Sequence, residues 1–182
     1  MEMTTILPSF VLGAPLDNHY GPSVRKIERL LFPKSKNNRQ PLLSNYGYPC
    51  VDVRDIALMH LRAMERPEQS IGRRFIGSAR CFLWVPEMAQ ILSQTYPSLH
   101  ISHERTSNEI VHREAKHDPS LRYVELNLDK RRELDNTQSC QCLGMQFGSV
   151  RSSLLDTAEY LISQRSPSHQ SSNSVSQSSS PV

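Results

Sequence analysis

Glycine is scarce in this sequence, and the glycine patterns that form a phosphate-binding loop are missing. The seven glycines lie at positions 13, 21, 47, 72, 77, 144 and 148. Neither G-x-G-x-x-G nor G-x-x-G-x-x-G can be built from these positions. Such motifs bring the backbone close to a pyrophosphate at a helix N-terminus. The 182 residues therefore contain no recognisable loop of that kind.

Cysteine pairs and long apolar runs are missing too. The four cysteines, Cys50, Cys81, Cys140 and Cys142, include no C-x-x-C pair, and the spacing of the last two is too tight for an ordinary local disulfide or zinc knuckle. Scattered thiols are typical of a reducing compartment. No apolar run approaches about 18 residues, and the first residues show no basic-then-apolar signal pattern. We expect a cytoplasmic protein that does not enter a membrane.

Patterns for metal or nucleic-acid binding are also missing. The seven histidines show no H-E-x-x-H or Cys/His knuckle spacing. The densest basic run, Lys130 to Arg132, is flanked by Asp129 and Glu133, and the net charge is +3. A nucleic-acid surface needs a clustered and uncompensated basic stripe. We therefore expect neither a metal ion nor a nucleic-acid partner.

The apolar spacing predicts strands that alternate with helices, which is typical of an α/β fold. Continuous apolar segments predict strands buried on both faces, and repeats of three or four residues predict helices. The predicted strands are 4–7 with an extension over 10–12, 48–53, 73–76 and 99–102. The predicted helices begin after Pro22, with Ser23 near the N-cap, after Asp52 or Asp55, at Pro86, near Ser107, after Asn136 and after Ser149.

The predicted helix after Asp52 carries an apolar stripe on one face. The residues expected to pack in the core are Val53, Ile56, Ala57, His60 and Met64. Those expected to face water are Arg62, Glu65 and Arg66. We interpret His60 as a core histidine rather than a catalytic base.

Residues 166–182 differ in composition from the rest of the chain. They hold nine serines, two prolines and no aromatic residue, so they offer too little apolar surface to offset the entropy of ordering them. We predict one folded unit over residues 1–165 and a disordered serine-rich tail over 166–182.

The segment from Thr4 to Gly13 indicates a ligand site. A buried strand that breaks at Pro8 and turns at Gly13 places its end at a crevice of the sheet, where open α/β sheets bind their ligands. An ordinary buried strand followed by a turn would show the same pattern. The residues alone leave both interpretations open.

Five ordered segments carry more specific patterns. Thr5 to Ala14 is similar to T-hh-P-x-x-V-x-G-P, and Val51 to Glu65 is similar to V-D-V-R-D-V-A-x-A-H-x-x-A-M-E. The others are 72–76, 83–89 and, near the end, 134–137 with 143–144 and 149–150. Together they resemble the extended short-chain dehydrogenases and reductases of the NAD-dependent epimerase/dehydratase group, especially dihydroflavonol and cinnamoyl-CoA reductases. The resemblance implies the C-terminal part of a Rossmann-type α/β reductase, with its smaller substrate-binding subdomain.

The same resemblance implies a site for NADP or NAD and for a small carbonyl or alcohol substrate. In the family, the proline-led segment runs past the nicotinamide, and the following loop covers the substrate. The matching positions here are Pro8, Ser9, Val11 and Ser23 for the cofactor, and Leu16 and Tyr20 for the substrate. Asp52 and Asp55 match positions that we interpret as structural.

The tyrosine–lysine pair of that family is missing from this sequence. Tyr-x-x-x-Lys places both side chains on one helical face, where the lysine lowers the pKa of the phenol for proton donation. The residues four positions after the six tyrosines are Val, Cys, Asp, His, Asn and Gln. Because that helix precedes the proline-led strand in the family, we expect the chain to start just downstream of it. We therefore assign no catalytic residue.

Two functions remain open at this point. The first is an NAD(P)-dependent reductase acting on a carbonyl or CH–OH group, of which this chain supplies the substrate side and is inactive alone. The alternative is a catalytically inactive, truncated product that acts as an interaction module or pseudo-enzyme and pairs with a full-length homologue. Departures from the family pattern, such as Leu7, Ala14, Met145 and Phe147, indicate sequence drift and argue against retained activity.

Overall fold

A computed structural model describes residues 2–33 and 41–165 of the chain. Strands and helices alternate within these ranges, as the apolar spacing predicts, and the predicted tail lies outside them. The strands are β1 (Thr5–Pro8), β2 (Phe10–Leu12), β3 (Gly47–Asp52), β4 (Arg74–Gly77) and β5 (Phe82–Trp84). The helices are α1 (Pro22–Leu31), α2 (Val53–Glu65), α3 (Pro67–Ser70), α4 (Val85–Thr95), α5 (Asn108–Ala115), α6 (Arg122–Leu126), α7 (Thr137–Leu143) and α8 (Val150–Ser163).

β1 and β2 form one extended segment that changes its neighbour at Ser9. β1 pairs in parallel with β4, with Ile6 opposite Phe75. β2 pairs in parallel with β3, and β5 adds to β3 in the antiparallel direction. The Ser9 N–H donates to the Gly77 carbonyl over 2.9 Å, so the backbone stays hydrogen-bonded where the pairing changes. Parallel strands separated by helices confirm the predicted α/β class.

The larger hydrophobic core lies where α1, α4 and α8 pack around β2 and β3. Each helix presents apolar residues at helical spacing. Complete burial of a valine, leucine, isoleucine or methionine side chain stabilises the fold by about 1.5–3 kcal/mol. The buried apolar residues are Val24, Ile27, Leu30 and Leu31 on α1, Val85, Met88, Ala89 and Leu92 on α4, and Val150, Leu154, Ala158 and Leu161 on α8.

A smaller core lies between α2, α7 and β4. Its buried members are Met59, Ala63, Phe75, Leu143 and Met145. Gly144 ends α7 in the left-handed conformation, with a φ of +64°, as its position after the last helical residue predicts. The Arg62 guanidinium donates to the Leu143 carbonyl over 3.1 Å and to that of Gly144, and Arg66 donates to the Cys142 carbonyl over 3.2 Å. Two cations therefore bind the negative end of α7.

Of the predicted buried face of α2, only Ile56 packs against a core. Met59 and Ala63 are buried, whereas Val53 and Met64 are 39% and 69% exposed. His60 is exposed as well, and its Nδ1 lies 2.8 Å from a carbonyl oxygen of its own helix, so the core interpretation of this histidine fails. Arg62 and Arg66 do not simply face water, because α7 accepts their hydrogen bonds.

α2 packs closely on β4 at Gly77, through Ile56 and Met59. Ile56 packs so closely on Gly77 that a Cβ at position 77 would lie 2.4 Å from the Ile56 Cδ1. Only a residue without a side chain allows this approach. The apolar periodicity within α2 does not show which position of a strand lets the helix approach so closely.

Three further expectations need correction. Residues 97–99 form a 3₁₀ turn, and His100 has a φ of +49°, so the predicted strand over 99–102 does not form. The N-cap of α1 is Gly21, and Ser23 lies in the first turn. Leu7 and Pro8 are exposed, so β1 is not buried on both faces. No helix within the described residues is long and apolar enough to cross a membrane.

Candidate functional site

A cleft of about 830 Å³ opens beside the point where β1 passes into β2. Its walls come from β2 and Ser9 before it, from α1, from the start of β3 with Tyr46 before it, and from α6 with the turn that precedes it. The lining residues are Ser9, Phe10, Val11, Tyr20, Gly21, Pro22, Ser23, Arg25, Lys26, Arg29, Tyr46, Tyr48, Ser120, Tyr123 and Val124. We call it the β2–α1 cleft.

The β2–α1 cleft brings together four of the six residues expected to bind cofactor or substrate: Ser9, Val11, Tyr20 and Ser23. Pro8 lies next to it in the chain but is exposed and does not line it. Leu16 is fully exposed, at 105% of its reference area. The strand, the loop and the helix that the sequence assigned to one site therefore do meet at one cavity.

The backbone of Ser9 is hydrogen-bonded, but its side-chain hydroxyl is not. Its N–H bonds to the Gly77 carbonyl, while its Oγ is buried and has no hydrogen-bond partner among the described residues. A buried hydroxyl without a partner costs about 1–3 kcal/mol, so such groups call for an explanation such as a bound ligand or water. The location of Ser9 on the cleft wall fits that explanation.

The loop between β2 and α1 is fastened by α8. Gly13 starts it with a φ of +131°, and its N–H donates to the Thr157 Oγ1 over 2.8 Å. Further along, the Tyr160 hydroxyl donates to the Asp17 carbonyl over 2.9 Å. These bonds fix both ends of the stretch that carries Leu16 and leads to Tyr20.

Lys26 is the main residue of the cleft that the sequence interpretation missed. Its ammonium donates to the Tyr46 hydroxyl and lies 4.9 Å from the centre of the Tyr46 ring. Burial, followed by the nearby Arg29 charge, lowers the pKa of Lys26 to about 8. The helical spacing held a signal, since Lys26 is three residues after Ser23 and so shares its face of α1.

Tyrosines form the wall opposite α1. Tyr46 is 1% exposed, and burial raises its pKa far above the usual range. The pKa of Tyr48 rises to about 12, first because of burial and then because of Tyr123. Both phenols therefore stay protonated at neutral pH and serve as hydrogen-bonding and packing groups.

No group of three or more metal-ligating side chains occurs in residues 2–33 and 41–165. The cleft offers hydroxyls, cations and aromatic rings instead. These groups suit the binding of an organic molecule with polar or negatively charged ends.

Comparison with known proteins adds three similar chains, although no family profile matches the sequence. A protein of Saccharomyces cerevisiae that is named as an oxidoreductase is 29% identical over 171 residues, which is 91% of this chain and 44% of that protein. Yeast methylglyoxal/isovaleraldehyde reductase Gre2, solved with NADPH, is 23% identical with a TM-score of 0.63 over 89% of this chain and 43% of its own. A nucleoside-diphosphate-sugar epimerase from Pseudomonas aeruginosa is 17% identical with a TM-score of 0.65 over 88% and 48%.

The chain shares the Rossmann-type fold of these structures over somewhat less than half of their length. The predicted resemblance and the Rossmann-type fold class are thereby confirmed. The chain spans less than half the length of the relatives it matches. The β2–α1 cleft is therefore described for this half of the fold only.

Proposed function

We propose that this chain supplies the substrate side of an NAD(P)-dependent reductase that interconverts a carbonyl and an alcohol. The observation that supports this most is the β2–α1 cleft, where Ser9, Val11, Tyr20 and Ser23 line one cavity. The resemblance assigns the same residues to cofactor and substrate. One of the similar structures, yeast Gre2, is a reductase that was solved with NADPH.

The residues present fit the nicotinamide end of a cofactor. Ser9 has a buried Oγ without a partner, and such a hydroxyl can bond a carboxamide. Val11 is half-buried on the same wall and offers an apolar surface for a ring. When bound, the nicotinamide supplies or accepts the hydride. The task of Ser9, Val11 and Ser23 is to hold it against the cleft.

Other parts of the reaction are assigned to residues outside this sequence. No phosphate-binding glycine loop and no Tyr-x-x-x-Lys pair occur among the 182 residues. The proposal therefore makes pyrophosphate binding and proton donation the work of the half of the fold that the relatives have in addition. Within this chain, Tyr20 and the loop around Leu16 are proposed to cover the substrate.

The alternative of a non-catalytic interaction module keeps one observation in its favour. β1 pairs only with β4 within the described residues, and Leu7 on β1 is 37% exposed. An open strand edge with apolar side chains promotes association with another chain. A full-length homologue, or the other half of a reductase, is the partner that this alternative predicts.

A chimera tests the cofactor assignment. In it, this chain replaces the matching segment of the Saccharomyces cerevisiae oxidoreductase, and NADPH binding is followed by fluorescence. We expect Ser9→Val to weaken NADPH binding by about tenfold, the value of one lost hydrogen bond in a buried site. Ser98→Val, on an exposed turn, is the matched control. Equal affinities for the two variants would count against a role of Ser9.

A further inference from the structure

The charge of the β2–α1 cleft is one-sided. Three cations line it, Arg25, Lys26 and Arg29, and no aspartate or glutamate is among its described lining residues. The carboxylate of Glu28, also on α1, forms a salt bridge with Arg165, whose guanidinium lies 3.2 Å away. The cleft therefore attracts anions.

The N-terminus of α1 opens onto the same cleft. Gly21, Pro22 and Ser23 all line it. No side chain caps this end of the ten-residue helix, and its first turn holds no acidic residue. The free N–H groups and the positive end of the helix dipole thus point to an acceptor that α1 itself does not supply.

Lys26 brings further hydrogen-bond donors to the β2–α1 cleft. The Lys26 ammonium has three N–H groups, one of which bonds to Tyr46, and no carboxylate of the described ranges pairs with it. A half-buried ammonium without a counter-ion is satisfied by a bound anion.

A stack of aromatic rings forms the rest of the wall. Phe10 and Tyr48 lie 4.2 Å apart with ring planes 15° from parallel. Tyr48 and Tyr123 continue the stack at 6.1 Å and 8°. Tyr123 is 49% exposed, so the stack ends in a ring surface that a flat molecule can cover.

We propose that the β2–α1 cleft binds a small molecule that joins a flat aromatic or unsaturated body to an anionic group. Lys26 and the N-terminus of α1 hold the anionic group, and the stack of Phe10, Tyr48 and Tyr123 packs against the flat body. If the chain is part of a reductase, its substrate is a carbonyl or alcohol compound with a flat aromatic or unsaturated body and an anionic group. This statement about the substrate rests on the proposed function. The binding site itself does not depend on it.

The test compares two ligands of the same shape and different charge. The full chain is titrated with benzoate and with benzamide, without any nicotinamide cofactor, and the backbone amides are followed by NMR. We expect benzoate to bind at least about tenfold more tightly, as a charge-assisted hydrogen bond implies, and to shift the amide signals of Ser9 and Ser23. Lys26→Met should abolish the preference, whereas Lys116→Met, an exposed position after α5, should keep it.

Several results would overturn the proposal. They are equal affinity for the two ligands, binding of neither, a preference that survives in a folded Lys26→Met variant, or shifts confined to residues outside the cleft. The location of the amide shifts is measured on the unmodified chain, so this part of the test remains valid even if Lys26→Met fails to fold. A benzoate preference in a chain whose chimera binds no NADPH would leave the anion site standing while the reductase proposal falls.

Discussion

The Ser153 hydroxyl donates to the Asp52 carboxylate over 2.6 Å, although the two residues are 101 positions apart. Asp52 is 4% exposed and ends β3. It also caps α2 by accepting from the Arg54 N–H over 2.7 Å, and the Arg54 guanidinium binds it at 2.6 Å. One carboxylate thus starts α2, ends β3 and fastens α8 to both. The structural role that the sequence predicts for Asp52 consists of these hydrogen bonds and this ion pair.

Removing that carboxylate should destabilise the whole fold. We expect Asp52→Ala to lower the free energy of unfolding by about 2–4 kcal/mol, because the cap is lost and the buried Ser153 hydroxyl loses its acceptor. Chemical denaturation followed by circular dichroism measures the change. Asp156→Ala is the matched control, since Asp156 also bonds Arg54, at 2.7 Å, but on the surface. It should cost less than about 1 kcal/mol.

The contribution of Asp52 should also depend on pH. Burial opposes its ionisation, but hydrogen bonds from Arg54 and Ser153 outweigh burial and hold the pKa of Asp52 below its ordinary value of 3.8. A depressed carboxyl pKa adds stability above the unfolded-state pKa, and this stability is lost as pH falls through the folded-state pKa. The difference in unfolding free energy between wild type and Asp52→Ala should be constant near neutral pH and shrink below about pH 4. A difference that grows in acid would refute this.

Gly47 at the start of β3 should tolerate no side chain. A Cβ there would lie 2.3 Å from the Leu83 carbonyl oxygen and 2.8 Å from the Trp84 Cα, both backbone atoms of the paired strand β5. We expect Gly47→Ala to lower the unfolding free energy by about 1–3 kcal/mol or more, as overpacking does. Gly21→Ala is the comparison, because nothing lies within 4 Å of its added Cβ. Similar melting temperatures for the two variants would contradict the close pairing of β3 and β5.

The arginines of α2 should hold α7 in place. We expect Arg62→Met to cost about 1–3 kcal/mol, since the carbonyls of Leu143 and Gly144 lose a charged donor. Amide hydrogen exchange should then speed up in α7 before it does in α8. Arg74→Met removes an exposed arginine of β4 and should leave α7 unchanged. Unaltered exchange in α7 of the Arg62→Met protein would show that the bonds to its C-terminus contribute little.

Sequence patterns predicted the parts of the fold that local physics decides. The buried face of α1 follows from the spacing of Val24 and Ile27, the start of α2 from Asp52, and the end of α7 from the left-handed Gly144. In each case the residue itself supplies the periodicity, the cap or the conformation. β5 is three residues long, too short for alternation to reveal it.

The parts that tertiary contacts decide were missed. The buried face of α2 includes Met59, which lies against Gly77 of β4, and the role of Lys26 depends on Tyr46, twenty residues away. The sequence placed Ser9, Val11, Tyr20 and Ser23 near one site through a resemblance, and the structure shows that they line one cleft. Their roles toward a cofactor or substrate stay predictions.

Consumption of NADPH tests the central proposal most directly. The full chain alone and the chimera with the Saccharomyces cerevisiae oxidoreductase are each incubated with NADPH and a panel of aldehydes and ketones, and absorbance of the reduced nicotinamide is followed. We predict no turnover above a heat-killed control for the chain alone, and turnover for the chimera. Turnover by the chain alone, or a cooperatively melting chimera that neither binds nor consumes NADPH, would contradict the account.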